Sequence, residues 1–439
     1  MSSEWPIVSV EEVCELIVDC VNKTAPVVPD ETPYRMIRTT NVRNGRINLT
    51  DCRFVEKETY EKWTRRATLQ YGDVILTREA PIGEVGMVIQ SDGFFLGQRL
   101  MQYRANRALL DSRFLLYSFL SPGLQHQFGS HEGSGSVVSH IRVGDCFKFK
   151  LALPPLIEQQ EIASILGALD DRIVLLRETN ATLESIAQAI FKSWFVDFDA
   201  VRARQEGRIP EGMDEATAAL FPDSFEDSEL GLVPKGWHRT SFLETLDVIG
   251  GGTPKTSVAD YWNGDIPWFS VVDAPEMANV FVIDTEKHIT DMGLAKSSTK
   301  MLPVGTTIIS ARGTVGRLAL VGRDMAMNQS CYGLRGKASD AYFTYFSTYR
   351  LVESLRQRSH GSVFDTITRE TLAGVFVVYP TVEVIKAFEM TLQPLMEKIR
   401  ENIVLSTSLT DLRDTLLPRL ISGKLRLPEA EAELEAMAS

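Results

Sequence analysis

Apolar residues recur at every seventh position over two long stretches of the chain. In the first, which follows Pro154-Pro155, one row runs Ile162, Leu169, Leu176, Leu183, Ile190 and a second runs Leu166, Ile173, Asn180, Ala187, Trp194. In the second stretch the rows are Phe388, Leu395, Asn402, Leu409, Leu416 and Leu392, Ile399, Ser406, Arg413, Leu420. A heptad stripe predicts a helix that buries one narrow seam, and two matching stripes in one chain predict an antiparallel intramolecular coiled coil. The paired prolines limit the start of the first helix. Pro394 predicts a kink or a restart in the second. Each helix is about 40 residues, roughly 60 Å at the usual rise. Two ordinary core helices are the alternative; the length and the charged remaining faces weigh against it.

Outside these stretches the chain repeats itself after about 230 residues, the kind of self-similarity that marks a duplicated fold. GDVILTREAPIG (72–83) lies over GTTIISARGTVG (305–316): glycine, a short apolar β-branched run, a hydroxyl residue, a basic residue and a glycine-ended turn. LGQRLMQYR (96–104) lies over MNQSCYGLR (327–335), sharing Gln98/Gln329 and Arg104/Arg335. Gly135-Ser136-Val137 lies over Gly361-Ser362-Val363, followed by Ile141/Ile367, and YRMIRTTNV (34–42) matches IPWFSVVDA (266–274) more loosely. The predicted fold class is α+β. Two copies of one α/β domain, 1–153 and 232–380, are separated by two long antiparallel coiled-coil helices within 154–200 and 381–427. Residues 201–231 read as an acidic linker or loosely packed excursion, and 428–439 as an acidic tail that frays.

Composition bounds the class. At 44% hydrophobic and 24% charged, the chain is ordinary folded protein. No apolar run approaches the ~20 residues that span a bilayer, and no export signal is visible at the start. The 5 cysteines are scattered without a Cys-x-x-Cys pair, which fits a reducing cytoplasm better than disulfides or a zinc cage. The net charge of −12 disfavours nucleic acid until its placement is considered. Segments 1–153 and 232–380 are close to neutral, and the acid is concentrated in the helical stretches, the linker and the tail.

Catalytic patterns are missing. There is no phosphate loop: Gly251-Gly252-Thr253-Pro254-Lys255-Thr256 has the composition but the wrong spacing. There is no H-E-x-x-H, no nuclease-type acid–lysine set around Asp223 and Glu226, and no Asn/Asp-Pro-Pro-aromatic methyltransferase signature. GSHEGSGS (129–136) does not fit a serine nucleophile elbow, so a hydrolase using Ser and His there is a remote rival. Basic and amide residues, in contrast, collect where the copies coincide. Residues 32–50 hold Arg35, Arg38, Arg43 and Arg46, with Asn41 among them. The turn motif supplies Arg78 in one copy and Arg312 in the other; Gln98-Arg99 corresponds to Gln329-Ser330, preceded by Asn328. The second copy adds Lys255, Trp268 and Ser270. Arg reads guanine, Asn and Gln read adenine, and all three hold phosphates, so these residues are the candidate DNA-binding set. No metal site is expected.

PPLIEQQEIASIL (154–166) with FKSWFVDFDAV (191–201) resembles the central conserved region of the specificity subunits of type I restriction–modification systems. LGLVPKGW (230–237), GGTPKTS…YWNGDIPWFS (251–270) and LRDTLLPRLISGKL (412–425) resemble the entry to the second half and the distal conserved region of that family. One departure is Ala200, where relatives often have proline. The resemblance implies two target recognition domains, each reading one half of a split, asymmetric DNA sequence. It implies a non-catalytic cytoplasmic chain without a cofactor of its own. The two heptad rows would pair the helices and dock two modification subunits, which bind S-adenosylmethionine and methylate adenine. Two restriction subunits, using ATP and Mg, complete the implied assembly. A protein scaffold of duplicated domains without a DNA role is the rival from another class.

Overall fold

A computed structural model describes residues 5–130, 140–275, 279–358, 366–430 and 432. The chain divides into two compact units, Met1–Ile173 with Ser408–Ser439, and Val174–Thr407. Each unit therefore contains one globular copy together with part of both long helices.

In the first unit a four-stranded antiparallel sheet is formed by β1 (Cys14–Asp19), β2 (Val74–Arg78), β3 (Ile82–Met87) and β4 (Leu100–Ala105), in the order β1-β4-β2-β3. Strand β2 opens on three apolar residues, Val74, Ile75 and Leu76, because both of its faces are covered there. Val74 and Leu76 join Phe114 and Phe119 of the helix Ser112–Leu120 in one core, and Ile75 joins Ile37, Val42 and Leu96 in another. That second layer rests on a small sheet in which Arg35–Ile37 pairs parallel with Phe94–Leu96 and antiparallel with Arg53–Phe54. Asp111 starts the helix by accepting from the Arg113 and Phe114 N–H groups, both at 2.9 Å.

The second unit repeats this plan. Its strands are β5 (Leu246–Gly250), β6 (Phe281–Val282), β7 (Thr307–Ser310), β8 (Leu318–Val321) and β9 (Cys331–Gly336), in the order β5-β9-β7-β8-β6. Apart from the added edge strand β6, the order is that of the first sheet. Trp262–Phe269 pairs parallel with Ala326–Met327 and antiparallel with His288–Ile289, the counterpart of the small sheet. Ile309 packs with Leu351 and Leu355 from the helix Ala341–Arg358, while Ile308 faces Phe269 and Met327. The duplication read from the sequence is therefore real in the fold. Its Gly135–Val137 and Gly361–Val363 match lies outside the described residues.

The central helix (Leu156–Phe195) and the distal helix (Val382–Ile421) each run 40 residues. They pair antiparallel: within the first unit Arg413 meets Asp170 at 2.7 Å, and within the second Asn402 meets Asn180 at 2.9 Å. Every apolar member of the heptad rows is buried or half-buried. Each fully buried leucine such as Leu166 or Leu416 contributes about 2 kcal/mol. Pro394 does not restart the distal helix, which runs unbroken through it. The carbonyl four residues earlier that proline leaves without a partner belongs to Met390, on an exposed face where water can serve it.

Two expectations are corrected here. The acidic segment 201–231 is not slack. Val201 and Phe221 are buried, Phe221 lies edge-on to Trp194 with centroids 5.1 Å apart, and Phe225–Ser228 pairs with Gly231–Pro234. The motif around Trp194 supplies the aromatic hub for this packing, with Phe195 against Phe343 and Phe388 at 4.9 and 5.0 Å. The heptad rows, for their part, are consumed inside the chain. Ile162, Leu166, Leu169, Ile173, Leu176, Leu183, Ile190, Trp194, Leu395, Ile399, Leu409, Leu416 and Leu420 pack inward and cannot also form a docking surface. The apolar residues these helices expose are others, among them Leu175, Ile186, Met390, Val404 and Leu405.

Candidate nucleic-acid interface

The turn after β2 in the first unit, and after β7 in the second, is tied by one buried hydroxyl. Thr77 Oγ1 donates to the Pro81 carbonyl at 2.6 Å and accepts from the Glu84 N–H at 2.9 Å. In the second unit Ser310 Oγ donates to the Thr314 carbonyl at 2.6 Å and accepts from the Arg317 N–H at 2.8 Å. A hydroxyl satisfied on both sides fixes the residues that follow it.

Two further segments converge there in both units. The Arg78 N–H donates to the Arg99 carbonyl and the Ala311 N–H to the Ser330 carbonyl, each at 2.8 Å. The Ile141 N–H reaches the Arg78 carbonyl and the Ile367 N–H the Ala311 carbonyl, each at 2.9 Å. A fourth segment is held by the matched glutamines. The Gln98 amide oxygen, in its satisfied orientation, accepts from the Thr24 N–H at 2.7 Å, and Gln329 accepts from the Thr253 hydroxyl. Backbone geometry is thus common to the two sites, and the side chains are not.

In the first unit Arg78 and Arg99 line an open cleft together with Asn22, His140 and Arg142. Arg78 Nη1 donates to the Ile141 carbonyl at 3.0 Å, and Arg99 pairs with Glu79 at 3.0 Å. In the second unit the corresponding positions carry Ala311, Ser330 and Thr366, with the exposed Arg312 bridged to Thr366. Gln329 is exposed beside it, and Lys255 is exposed on the loop that follows Thr253. Gly251 opens that loop because the backbone passes too close for a side chain: a Cβ there would lie 1.9 Å from the Asn328 carbonyl oxygen. Asn328 itself accepts from the Ser330 N–H at 3.0 Å.

The other candidates are spent within the fold. Arg35 lies over Phe54 and Phe94, 5.2 and 5.8 Å from their centroids. Arg38 pairs with Asp51 at 2.9 Å, Arg43 donates to the Thr39 and Val42 carbonyls, and Arg46 donates to the Asp170 carbonyl. The stretch 32–50 lacks acids only along the sequence; in space Asp51 and Glu84 answer it. Asn41 is buried, accepts from the Arg38 N–H at 2.8 Å and donates to the Asn48 carbonyl. Its counterpart is Asp273, which accepts from the Ser270 N–H and hydroxyl at 2.8 and 2.9 Å. Trp268 is 6% exposed and donates its indole N–H to the Gly252 carbonyl at 3.0 Å. Asn41 and Trp268 are therefore corrected from contact residues to residues that hold the frame.

Sequence reasoning missed Asn22, His140 and Arg142. They come from segments far from the arginines they join, and the Ile141/Ile367 match was the one signal that pointed there. Among the described residues no group of His, Cys, Asp and Glu is arranged to hold a metal ion. All the cysteines are free, and burial pushes the thiols up, to about 11 for Cys52 and Cys146 and about 12 for Cys14 and Cys331.

The sequence profile described as the type I restriction modification DNA specificity domain matches residues 2–185 and 234–398. The chain is similar to the type I restriction enzyme HindI specificity subunit of Haemophilus influenzae, 25% identical over 82% of this chain and 88% of the relative. It is 21% identical to the putative type I restriction enzyme MjaX specificity subunit of Methanocaldococcus jannaschii, over 97% of this chain and 94% of the relative. The crystal structure of a type-I restriction-modification system S subunit from M. genitalium has the same fold, with a TM-score of 0.58 at 15% identity over 95% of this chain and 96% of that one.

Proposed function

The chain belongs to the type I restriction–modification DNA specificity family, and from that premise we propose how its parts divide the work. It is a sequence-specific DNA-recognition subunit of a type I restriction–modification complex. Each unit reads one half of a bipartite, asymmetric site through the end of its sheet: Arg78 and Arg99 in the first, Arg312, Gln329 and Lys255 in the second. The observation that carries this reading is the shared backbone site bearing different side chains, which is what two modules reading different sequences require.

The chain works within a complex containing methyltransferase and restriction subunits. In the finer reading, two modification subunits dock on the outer apolar faces of the long helices, around Leu175, Ile186, Met390, Val404 and Leu405, and two restriction subunits join them. S-adenosylmethionine belongs to the modification subunits, and ATP and Mg to the restriction subunits. This chain performs no chemical step of its own. No described helix is long and apolar enough to cross a membrane, and we place the complex in the cytoplasm with the DNA.

The test is base-resolved methylation mapping of DNA modified by this chain with its methyltransferase partner. Replacing residues 1–153 by the same block of a relative changes one half of the recognised sequence; a change in both halves refutes the modular reading.

A further inference from the structure

The cleft of the first unit holds more cation than its own acids balance. Glu79 is bound to Arg99 at 3.0 Å, and Asp19 is bound to Arg66. Arg78 gives one N–H to the Ile141 carbonyl, while its buried Nε has no partner among the described residues. Arg142 is exposed, and among the described residues it meets no carboxylate. Two guanidinium groups on one open cleft, neither paired with a carboxylate among the described residues, attract a ligand rich in acceptors.

The backbone carrying Arg142 is anchored on both sides. Ile141 is tied to Arg78 twice, through its N–H at 2.9 Å and its carbonyl at 3.0 Å. The Arg142 carbonyl accepts from the Asp145 and Cys146 N–H groups at 3.0 and 3.3 Å. Placement before binding lowers the ordering cost of contact. The second unit follows the same path to Ile367 and then departs. Thr368 stands where Arg142 would be and accepts from the Thr371 N–H at 3.1 Å, capping the short helix Arg369–Ala373. The next cation, Arg369, donates to the Val248 carbonyl at 3.0 Å.

We propose that Arg142 contacts DNA in partnership with Arg78, the pair clamping a double acceptor on the half-site read by the first unit. The same chemistry is offered by a phosphodiester group and by the O6/N7 edge of guanine, and both suit paired guanidinium groups. The proposal rests on the reading of this chain as the DNA-recognition subunit. Among the described residues the second unit places Thr368, not a cation, at the equivalent position, so the role belongs to one half-site.

The experiment uses the assembled methyltransferase complex carrying wild-type chain, Arg142→Ala or Arg142→Lys. It measures affinity for the cognate site and for single-base variants across a salt titration, with thermal melting of each complex. The expected result is a roughly five- to hundredfold loss of affinity in Arg142→Ala at an unchanged melting temperature. A guanine contact relaxes one position of one half-site, and Arg142→Lys recovers little of it. A phosphate contact weakens every sequence by the same factor and lowers the salt slope by about one, with Arg142→Lys largely restored. Unchanged affinity, slope and specificity in an Arg142→Ala complex that melts like wild type overturns the assignment. A wild-type complex without sequence preference instead defeats the reading on which it rests.

Discussion

Asn402 donates its side-chain N–H to the side-chain oxygen of Asn180 at 2.9 Å, in the middle of an apolar seam. Asn180 in turn donates to the Ile399 carbonyl at 3.3 Å, and the two residues are only 1% and 2% exposed. A buried amide pair is satisfied in one alignment of two antiparallel helices and loses its partner in a shifted one, so it selects register. Asn180→Leu leaves the Asn402 amide without its acceptor and should cost about 1–3 kcal/mol. The double change to leucine should recover most of that loss while weakening register selection. Urea midpoints of the three variants check this; a single leucine variant as stable as wild type would show that the pair contributes nothing.

The hydroxyl-tied turns should be equally demanding in both units. Thr77→Val and Ser310→Ala each take a buried hydroxyl away from a partly buried carbonyl and N–H pair, so each should destabilise its own unit by about 1–3 kcal/mol. Each should also weaken DNA binding, because Arg78 follows Thr77 directly and Arg312 lies two residues after Ser310. Local amide hydrogen exchange separates the units. Protection lost in the wrong unit, or in neither, contradicts the account.

Frame and contact residues should fail differently. Trp268→Ala removes a buried indole and should cost about 3–5 kcal/mol of stability. Arg312→Ala, at an exposed position, should leave stability within about 0.5 kcal/mol. It should cost about 1–3 kcal/mol in binding to the half-site read by the second unit. Melting and binding measured on the same preparations decide it, and normal DNA affinity in Arg312→Ala would mean that the contact surface lies elsewhere.

Stability should fall as pH rises towards neutrality through two acids of the second unit, the buried Asp340 and the half-buried Glu389. Burial pushes Glu389 from 4.5 up to about 7, although its carboxylate accepts from the Phe343 N–H at 2.7 Å and the Tyr342 N–H at 3.3 Å. Burial likewise raises Asp340 to about 6. A raised acid binds its proton more tightly folded than unfolded. The stability associated with the protonated form is therefore lost between the ordinary carboxyl range and about pH 7, and the loss is complete above it. Glu389→Gln should remove about 1–3 kcal/mol of that slope. Denaturant midpoints from pH 5 to 8 give the comparison, and parallel curves for wild type and variant would rule the effect out.

Partner docking should depend on the residues the helices leave outside. Met390→Asp or Leu405→Asp places charge on an exposed apolar position and should weaken assembly with the modification subunit about tenfold or more, without changing the melting temperature. Pull-down with the purified partner tests this. Full assembly of the double variant would place docking on another face.

Periodicity made the long helices legible because a coiled seam repeats along the chain: Leu166, Ile173 and Leu416 lie where a heptad puts them. The strand pattern around Val74 and Ile308 was legible for a similar reason, since local alternation and turn residues encode it. The direction of Pro394 was not, because its effect depends on whether the carbonyl it orphans faces solvent. Nor was the fate of 201–231, whose acids suggest a tether while Val201 and Phe221 anchor it to an aromatic hub.

The candidate site shows the division most clearly. By itself the sequence determined that two copies of one frame exist and that Thr77/Ser310 and Gln98/Gln329 occupy matching places in it. Only the tertiary structure decided which cations remain available. Arg38 and Arg43 are answered by Asp51 and Glu84, acids supplied by neighbouring segments, whereas Arg78 is joined by Arg142 from a stretch more than sixty residues away. A charge is neutralised by what lies within a few ångströms, and the fold, not the order of residues, sets that distance.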